Sequence, residues 1–394
     1  MQGIKMKFIL GGNSMGMKII ESRHLLISFV LAFLVSCSCD KSPTCDGNHY
    51  DPRNVSRNEG LSYGASLAVD DKGNIHLVWA DSTPGNYEIL YSTKSSGGDW
   101  FDPVNISNTD IESTCPEITV DPSGNLHVVW GEGGFYTSET LGVYYSMKPY
   151  GENWTIPMEI ANRGEMPDIG IDASGNVHVT WLGWVSYRMK SAEGIWMPKE
   201  DVFPFGINHD HAVNNQGDVH VVCDGPGANG GGENISYTMK PFGGSWAEPE
   251  NISESLSRSW APTIAADDGN VYAAWKEVRP GVDQIFFRIC SSDGSWSEID
   301  SLPDIVGDAT GPEPAITAEN GNLHFLWGAA IDGWDIYYKV RNRDGSWSES
   351  FNISNTGEAG PAIVVVDTYG NLHVAWSDES PGNYDIFYTV ISTR

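Results

Sequence analysis

The segment His209-Asp210-His211 carries two imidazoles and one carboxylate within three residues. Alternate residues of an extended strand point to the same side, so both imidazoles would lie together and suit a metal ion or a proton transfer. The alternative is a packing role, in which polar side chains border water in a channel. Tyr187 and Arg188 lie one repeat unit earlier, and either of them with His211 would complete a lyase-type site.

Three tryptophans, Trp184, Trp260 and Trp334, are candidates for ligand binding together with the three residues of the His-Asp-His segment. The chain has 15 tryptophans, and twelve of them occupy two positions of a repeat. The remaining three fall in or beside connections between strands. Exposed indoles there would stack on sugar rings or anchor a protein partner, whereas buried ones would pack between repeat units.

Many carboxylates are expected at the same connections. Two of them could form the pair of a glycosidase, or several could bind calcium, although most carboxylates of an acidic protein are solvated. The residues concerned are Asp81, Glu132, Asp224, Glu277, Asp332, Asp378 and Glu379, with Glu112, Glu117, Glu165, Asp168 and Glu313.

The composition excludes several kinds of protein. The 23 Lys and Arg residues stand against 52 Asp and Glu, a formal net charge of −29, and no basic run appears. Such a chain repels nucleic acids and disfavours anionic sugars. A hydrophobic fraction of 40% with 11% aromatic residues is enough for a packed core. The six cysteines have neither disulfide-framework nor zinc-site spacing.

The elements that position these residues come from a repeat. The string Asp-x-x-Gly-Asn-x-His-x-x-Trp, with variants, recurs seven times at intervals of about 50 residues. Each unit contains four strand patterns, here named A to D, joined by Gly-rich turns. The sequence therefore predicts an all-β fold, a seven-bladed β-propeller of four-stranded antiparallel blades. The approximate blades are 61–107, 115–160, 166–203, 208–253, 261–302, 312–354 and 361–394 with 50–56.

The seventh unit ends after strand C, and its missing strand D has a counterpart near the N-terminus. Residues 50–56 match the strand D tail at 101–107. We expect residues 50–56 to pair beside residues 384–391 and close the last blade, since a closed ring leaves no sheet edge exposed.

Repeated residues are expected to serve the blades. Six of the ten histidines share one position in strand B, which indicates packing or hydrogen bonding within each blade and not a shared metal ion. These residues are His76, His127, His178, His220, His324 and His373.

The turns Ser291–Trp296 (SSDGSW) and Asn342–Trp347 (NRDGSW) lie between strands C and D. They resemble shortened Asp-boxes, also called BNR repeats, of the sialidase superfamily. The resemblance covers residues 50–394 and implies a propeller fold. Propellers with Asp-boxes include sialidases, binding proteins and scaffold proteins. The Arg-Ile-Pro motif of the sialidases does not occur in the chain.

The N-terminal region predicts export and a lipid anchor. An apolar run of eleven residues, Leu25–Val35, is too short for a membrane span and fits a secretory signal. Leu34-Val35-Ser36-Cys37 resembles a bacterial lipobox, which implies cleavage before Cys37 and lipidation of its thiol. We expect a signal at 1–36, with Met17 as an alternative start of translation, a lipidated linker at 37–49 and the propeller at 50–394.

The favoured interpretation is a lipoprotein of the bacterial cell envelope, in the outer membrane if the host has two membranes. It would bind a neutral glycan or a protein partner and contact the bilayer only through Cys37. One alternative is a carbohydrate-active enzyme, a glycosidase or polysaccharide lyase with a central pocket. Another is a structural component of an envelope complex. No cofactor is expected, with calcium as the one candidate, and the domain is expected to be monomeric.

Overall fold

The computed structural model describes residues 52–392 except 134–141, 227–232, 256, 268, 280–281, 306–312 and 332. Cys37, the proposed start at Met17, Asp332 and most of the Gly-rich stretch 225–232 lie outside these residues. No helix in the described part of the chain is long and apolar enough to cross a membrane.

The described strands form seven four-stranded antiparallel sheets. The A strands of neighbouring blades contact one another around the whole ring and surround its centre. This arrangement confirms the predicted seven-bladed propeller.

Strands A to D of blades 1 to 4 are given in chain order, starting after β1 (Arg53–Asn54). Blade 1 contains β2 (Ser62–Val69), β3 (Ile75–Asp81), β4 (Glu88–Lys94) and β5 (Val104–Asn105). Blade 2 contains β6 (Ser113–Val120), β7 (Leu126–Glu132), β8 (Gly142–Lys148) and β9 (Met158–Ala161). Blade 3 contains β10 (Glu165–Ile171), β11 (Val177–Leu182), β12 (Val185–Lys190) and β13 (Glu200–Phe203). Blade 4 contains β14 (His209–Val213), β15 (Val219–Pro226), β16 (Glu233–Lys240) and β17 (Glu250–Asn251).

The remaining three blades follow the same order. Blade 5 contains β18 (Ser259–Ala266), β19 (Asn270–Arg279), β20 (Val282–Ser291) and β21 (Asp300–Ser301). Blade 6 contains β22 (Ala315–Glu319), β23 (Asn322–Ala330), β24 (Trp334–Arg341) and β25 (Phe351–Asn352). Blade 7 contains β26 (Ala359–Val366), β27 (Leu372–Asp378) and β28 (Asp385–Ile391), and it takes β1 as its fourth strand.

The A–B turns explain why the repeat string begins Asp-x-x-Gly-Asn. The Asp70 carboxylate accepts hydrogen bonds from the backbone N–H groups of Lys72 and Asn74 and from the Asn74 amide. Gly73 has a φ of +75°, which a glycine adopts without strain. The same carboxylate contacts recur at Asp121, Asp172 and Asp367.

The N-terminal strand closes the ring as predicted. Arg53 pairs with Tyr388, and Asn54 pairs with Phe387, in an antiparallel register. The buried Asp385 carboxylate accepts hydrogen bonds from Asn54 Nδ2 at 2.6 Å and from Ser56 Oγ at 2.8 Å. The Asn-x-Ser tail thus fastens strand D to the start of strand C.

The six repeated histidines have the scaffold role that the sequence predicts. In each, Nδ1 lies 2.7–2.9 Å from the hydroxyl of a strand C tyrosine. In blade 5, Tyr272 replaces the histidine and donates to Asp267 at 2.8 Å. The pairs are His76–Tyr91, His127–Tyr145, His178–Tyr187, His220–Tyr237, His324–Tyr338 and His373–Tyr388.

The repeated tryptophans fill the spaces between blades. Those that end strand B are at most 2% exposed. Those that open strand D pack edge to face against a strand C aromatic ring of the preceding blade. Trp100 of blade 1 contacts Tyr388 of blade 7 in this way, with ring centroids 5.2 Å apart. The other pairs are Tyr91–Trp154, Tyr145–Trp196, Tyr187–Trp246, Tyr237–Trp296 and Phe287–Trp347.

Removing one tyrosine hydroxyl should destabilise the propeller. We expect Tyr145→Phe to lower the free energy of unfolding by about 1–3 kcal/mol, because buried His127 loses its hydrogen-bond partner on Nδ1. Urea unfolding measures the change. Tyr369→Phe, at a side chain that is 55% exposed, is the matched control. Equal stability of the two variants would contradict the scaffold role of this pair.

Candidate functional site

One position of strand A recurs in every blade and contacts a neighbouring blade in blades 1 to 5, and we call its seven residues the seam residues. In blades 2, 3 and 4 they are the carboxylates Glu117, Asp168 and Asp210, and all three are partly exposed. These three pair across the sheet with Val129, Thr180 and Val222. The other seam residues are Ser66, Thr263, Ala315 and Ile363.

Several seam residues join neighbouring blades through a backbone N–H group. Ser66 Oγ accepts from Ile118 N at 3.2 Å, and Asp168 Oδ2 accepts from His211 N at 2.9 Å. Asp210 Oδ2 accepts from Ile264 N at 2.8 Å. The carboxylates of Asp168 and Asp210 therefore have a structural function that a serine performs in blade 1.

Glu117 does not follow this pattern. It accepts a hydrogen bond from Ser66 Oγ at 2.5 Å. The backbone N–H on the next blade that would correspond to it, that of Ile169, bonds instead to Asp168 Oδ1 at 2.7 Å. Glu117 therefore adds a carboxyl group at the seam without holding the backbone of blade 3.

Two histidines and a threonine continue this polar group between blades 3 and 4. His211 Nδ1 lies 2.6 Å from Asp168 Oδ2 and 3.0 Å from Thr180 Oγ1. The same hydroxyl lies 3.0 Å from His209 Nε2. Both imidazoles thus meet on one side of β14, as the His-x-His spacing predicts. We call Glu117, Asp168, Thr180, His209 and His211 the polar cluster.

Two members of the polar cluster replace apolar residues of the repeat. The position of His211 is Leu67, Ile118, Ile169, Ile264, Ile316 or Val364 in the other blades. The position of Thr180 is Val78, Val129, Val222, Ala274, Leu326 or Ala375. Thr180 was missed by sequence reasoning, although comparing the same strand B position across the repeats identifies it.

The cluster leaves two ring nitrogens unpartnered within the part of the chain that the structure describes. They are His211 Nε2 and His209 Nδ1, both buried. A Cβ at Gly170 would lie 2.9 Å from His211 Nε2, so a glycine makes room for this imidazole. The scaffold histidines His178, His220 and His324 also have a buried Nε2 without a hydrogen-bond partner among the described residues, so this cluster is distinguished by its polar residues at apolar positions of the repeat.

The charges of the cluster are set by burial and by one ion pair. Burial opposes ionisation of Asp168, but the His211 charge and hydrogen bonds hold its pKa well below the usual range. Burial also opposes the charge on His211, yet the Asp168 carboxylate raises the pKa of that imidazole overall. Burial lowers the pKa of His209 to about 4. These shifts favour an ionised Asp168–His211 pair, and His209 is neutral at pH 7.

The other two carboxyl groups shift in the opposite direction. Burial, with the Asp168 charge, raises the pKa of Asp210 to about 8. The same two causes raise the pKa of Glu117 well above its usual value. One carboxylate with a lowered pKa therefore lies between two carboxyl groups whose pKa values are raised. Neighbouring carboxyl groups whose pKa values are shifted in opposite directions suit general acid–base chemistry.

Tyr187 and Arg188 have contacts within the scaffold. The Tyr187 hydroxyl bonds to His178 Nδ1 at 2.8 Å. The Arg188 guanidinium donates to the carbonyl oxygens of Met197 and Ile160, each at 2.7 Å. Both His209 and His211 thus contact Thr180, whereas Tyr187 and Arg188 make their hydrogen bonds outside the polar cluster.

The three candidate tryptophans lie at the end of the blades where strand A begins and strand B ends. We call this end the loop face. Trp184, in the β11–β12 turn, is 62% exposed, and Trp334 is 37% exposed. Trp260 is partly buried beside Lys276, whose ammonium lies 4.9 Å from its ring centre.

The acids that end strand B are buried, which corrects the expectation that most acids of the connections are solvated. The indole N–H groups of Trp79 and Trp376 donate to Asp81 and Asp378 at 2.8 and 2.9 Å. Asp224, Glu132 and Glu277 are likewise at most 4% exposed. Among the described residues, no group of three His, Cys, Asp or Glu side chains could hold a metal ion.

Comparison with solved structures identifies the same fold in proteins of very different sequence. An ulvan lyase, described as a new family of polysaccharide lyase, has 11% identity and a TM-score of 0.60 over 86% of this chain and 96% of that one. Virginiamycin B lyase from Staphylococcus aureus has 10% identity and a TM-score of 0.58 over 87% and 98%. A Hadza microbial sialidase has 12% identity and a TM-score of 0.48 over 84% and 65%.

The similarities to the two lyases concern the fold, since their sequence identities are at most 11%. No protein-family model matches the chain. No curated protein matches it either.

Proposed function

We propose that the propeller is an interaction module that docks a protein partner through its loop face. The observation that supports this is a set of exposed apolar side chains to which every blade contributes. Their exposed fractions range from 37% to 62%. They are Leu61, Ile111, Met166, Trp184, Ile207, Val278, Ile331, Trp334 and Tyr384.

The composition of this set favours a protein over a glycan. Six of the nine residues are aliphatic or Met, and these complement apolar side chains of a protein. A sugar instead stacks on aromatic rings and requires polar groups beside them. Exposed apolar patches above a few hundred Å² mark interaction sites on soluble proteins. A net charge of −29 also disfavours an anionic bilayer as the occupant.

The wider proposal places this module in the bacterial cell envelope, anchored by a lipid on Cys37. The support is the sequence Leu34-Val35-Ser36-Cys37 after an apolar run. Metabolic labelling with a palmitate analogue should mark the wild-type chain and not Cys37→Ser. Equal labelling of both chains would contradict the anchor.

Photocrosslinking in the native cells tests the docking face. A photoreactive phenylalanine at position 184 or 207 should give one discrete protein adduct, whereas positions 242 and 369 should not. Phe242 and Tyr369 are 57% and 55% exposed on turns at the opposite end of the blades. The adduct identifies the partner, which is then purified for binding measurements.

The binding measurement decides the proposal. The double variant Ile207→Ser/Ile331→Ser should raise the Kd for the purified partner about tenfold or more, because interface anchors contribute above 1 kcal/mol each. Phe242→Ser is the matched control and should leave the Kd unchanged. Equal weakening by all these variants would contradict the loop face. Binding to a neutral glycan array that Trp184→Ala abolishes would favour a glycan ligand instead.

A further inference from the structure

We propose that Glu117 and Asp168 form an acid–base pair that hydrolyses a neutral glycoside at the centre of the ring. Both are seam residues of neighbouring blades, and both are partly exposed to solvent. This activity is separate from docking at the loop face. It uses carboxyl groups on the inner strands, so either function can fail without the other.

The contacts of Glu117 single it out as the acid. Ser66, Asp168 and Asp210 hold the backbone of the next blade, and Glu117 does not. Its carboxyl group is bonded through Oε2 to one serine hydroxyl, which leaves Oε1 for a substrate. The longer glutamate side chain at this position thus contributes chemistry that the blade junction does not require.

The contacts of Asp168 keep it ionised and oriented, and it is therefore the group assigned as the base. Its Oδ2 accepts the imidazole N–H and the backbone N–H of His211, and its Oδ1 accepts the N–H of Ile169. These three bonds favour the ionised carboxylate and fix its orientation. About 23% of the Asp168 side chain remains exposed, so water can reach it.

The polar cluster supplies an observation independent of the carboxyl groups. His211 is only 7% exposed, and its Nδ1 lies 2.6 Å from Asp168 Oδ2, so a buried imidazole contacts this carboxylate. Every other blade has an aliphatic side chain at this position. A buried histidine that orients a carboxylate is therefore an addition to the scaffold, and His211 is a positioning residue for Asp168.

The protonation states match the two roles. Burial and the Asp168 charge raise the pKa of Glu117 well above its usual value, which favours the protonated acid. The His211 charge keeps the Asp168 carboxylate ionised despite its burial. The second raised carboxyl group, Asp210, is assigned no step in this scheme, and its Oδ2 accepts hydrogen bonds from Thr263 Oγ1 and Ile264 N.

The reaction consumes one water molecule. Glu117 gives its proton to the glycosidic oxygen as the bond from that oxygen to the anomeric carbon breaks, and the leaving sugar departs as an alcohol. Asp168 takes a proton from the water whose oxygen bonds to the anomeric carbon. The proton on Asp168 then passes through solvent to Glu117, which restores both groups. The net charge of −29 favours a neutral sugar over an anionic one.

Hydrolysis of chromogenic glycosides tests the pair. The purified full-length chain is assayed with 4-nitrophenyl glycosides of glucose, galactose, mannose, xylose and fucose, and with the glucuronide for comparison. We expect release of nitrophenol from at least one neutral substrate and none from the glucuronide. Glu117→Gln and Asp168→Asn should each reduce kcat/KM about 100-fold or more. Glu248→Gln, at an exposed carboxylate outside the cluster, is the matched control.

The pH profile separates chemistry from folding. In the wild type, kcat/KM should fall on the alkaline side as Glu117 loses its proton, and Glu117→Gln should remove this decline from the residual activity. Thermal unfolding verifies that each variant is folded. Release of nitrophenol from none of the five neutral substrates overturns the proposal. Unchanged kcat/KM in folded Glu117→Gln or Asp168→Asn overturns it as well.

Discussion

Deletion of residues 46–60 is expected to abolish the single cooperative unfolding transition of the propeller. The deletion removes β1 and leaves strand C of blade 7, β28, with a free edge. It also removes the partners of Asp385, a buried carboxylate that is 3% exposed, and the buried Val55 side chain. We expect a loss of roughly 4 kcal/mol or more, and aggregation through the open edge. Calorimetry and light scattering measure both effects.

A matched pair of variants separates ring closure from the hydrogen bonds alone. Asn352 and Ser354 make the same contacts with Asp335 inside blade 6. Asn352→Ala with Ser354→Ala should therefore lower stability as much as Asn54→Ala with Ser56→Ala. Both pairs should retain one cooperative transition because the strands remain. A deletion mutant that unfolds like the wild type would show that β1 does not hold the ring.

Asp210→Asn is expected to stabilise the propeller at alkaline pH. The folded-state pKa of Asp210 is about 8, above its ordinary value, because of burial and the Asp168 charge. The folded protein therefore binds one more proton than the unfolded chain between about pH 4 and 8. Stability falls as the pH rises through this window, and the asparagine removes this group's contribution to the fall.

The variant should gain roughly 2–5 kcal/mol at pH 8.5 and little at pH 4. The amide of the introduced asparagine would still present an oxygen to Thr263 Oγ1 and Ile264 N, which donate to Asp210 Oδ2 in the wild type. The pKa of Glu117 is shifted in the same direction, and Asp168 and His211 form an ion pair in the same cluster. Wild type and variant are therefore compared with these three residues unchanged. Urea unfolding at both pH values measures the gain.

Asp102→Asn serves as the control for this pH dependence, since Asp102 is exposed and lies away from the seam. It should leave the dependence of stability on pH unchanged. A gain for Asp210→Asn that is equal at pH 4 and pH 8.5 would contradict a proton held by Asp210.

The fold could be predicted because each repeat carries its own evidence. The spacing of the Asp-x-x-Gly-Asn string fixed the number of blades, and the tail around Asn54 and Ser56 indicated the closing strand. Six histidines share one position of strand B, which distinguished them from candidate site residues. Their contacts with tyrosines confirm a scaffold role.

The site was predicted only in part. The spacing of His209 and His211 places both on one side of a strand, and their shared contact with Thr180 agrees. Which blade each side chain faces depends on register and on bulges, such as the one between Glu165 and Asp168 in strand A of blade 3. Sequence reasoning therefore named Glu117 and Asp168 among twelve acids without pairing them.

The exposure of a side chain also cannot be predicted from the pattern of residue types alone. Trp184 lies in the β11–β12 turn and is 62% exposed, whereas Trp260 lies in β18 and packs beside Lys276. Asp81 and Asp378 appear as loop acids in the sequence, but each follows its tryptophan by two residues and accepts the indole hydrogen bond. Tertiary contacts decide these outcomes.

The closing strand also determines when folding can finish during synthesis. Asn54 and its partner Asp385 are 331 residues apart in the chain. At about 5–20 residues per second, a ribosome needs roughly 15–70 s to make that interval. Throughout this time the strand at Arg53–Asn54 has no partner, and Trp100 lacks the ring of Tyr388. The first strand to be synthesised, β1, must therefore avoid pairing with other strand edges until its partner β28 leaves the ribosome.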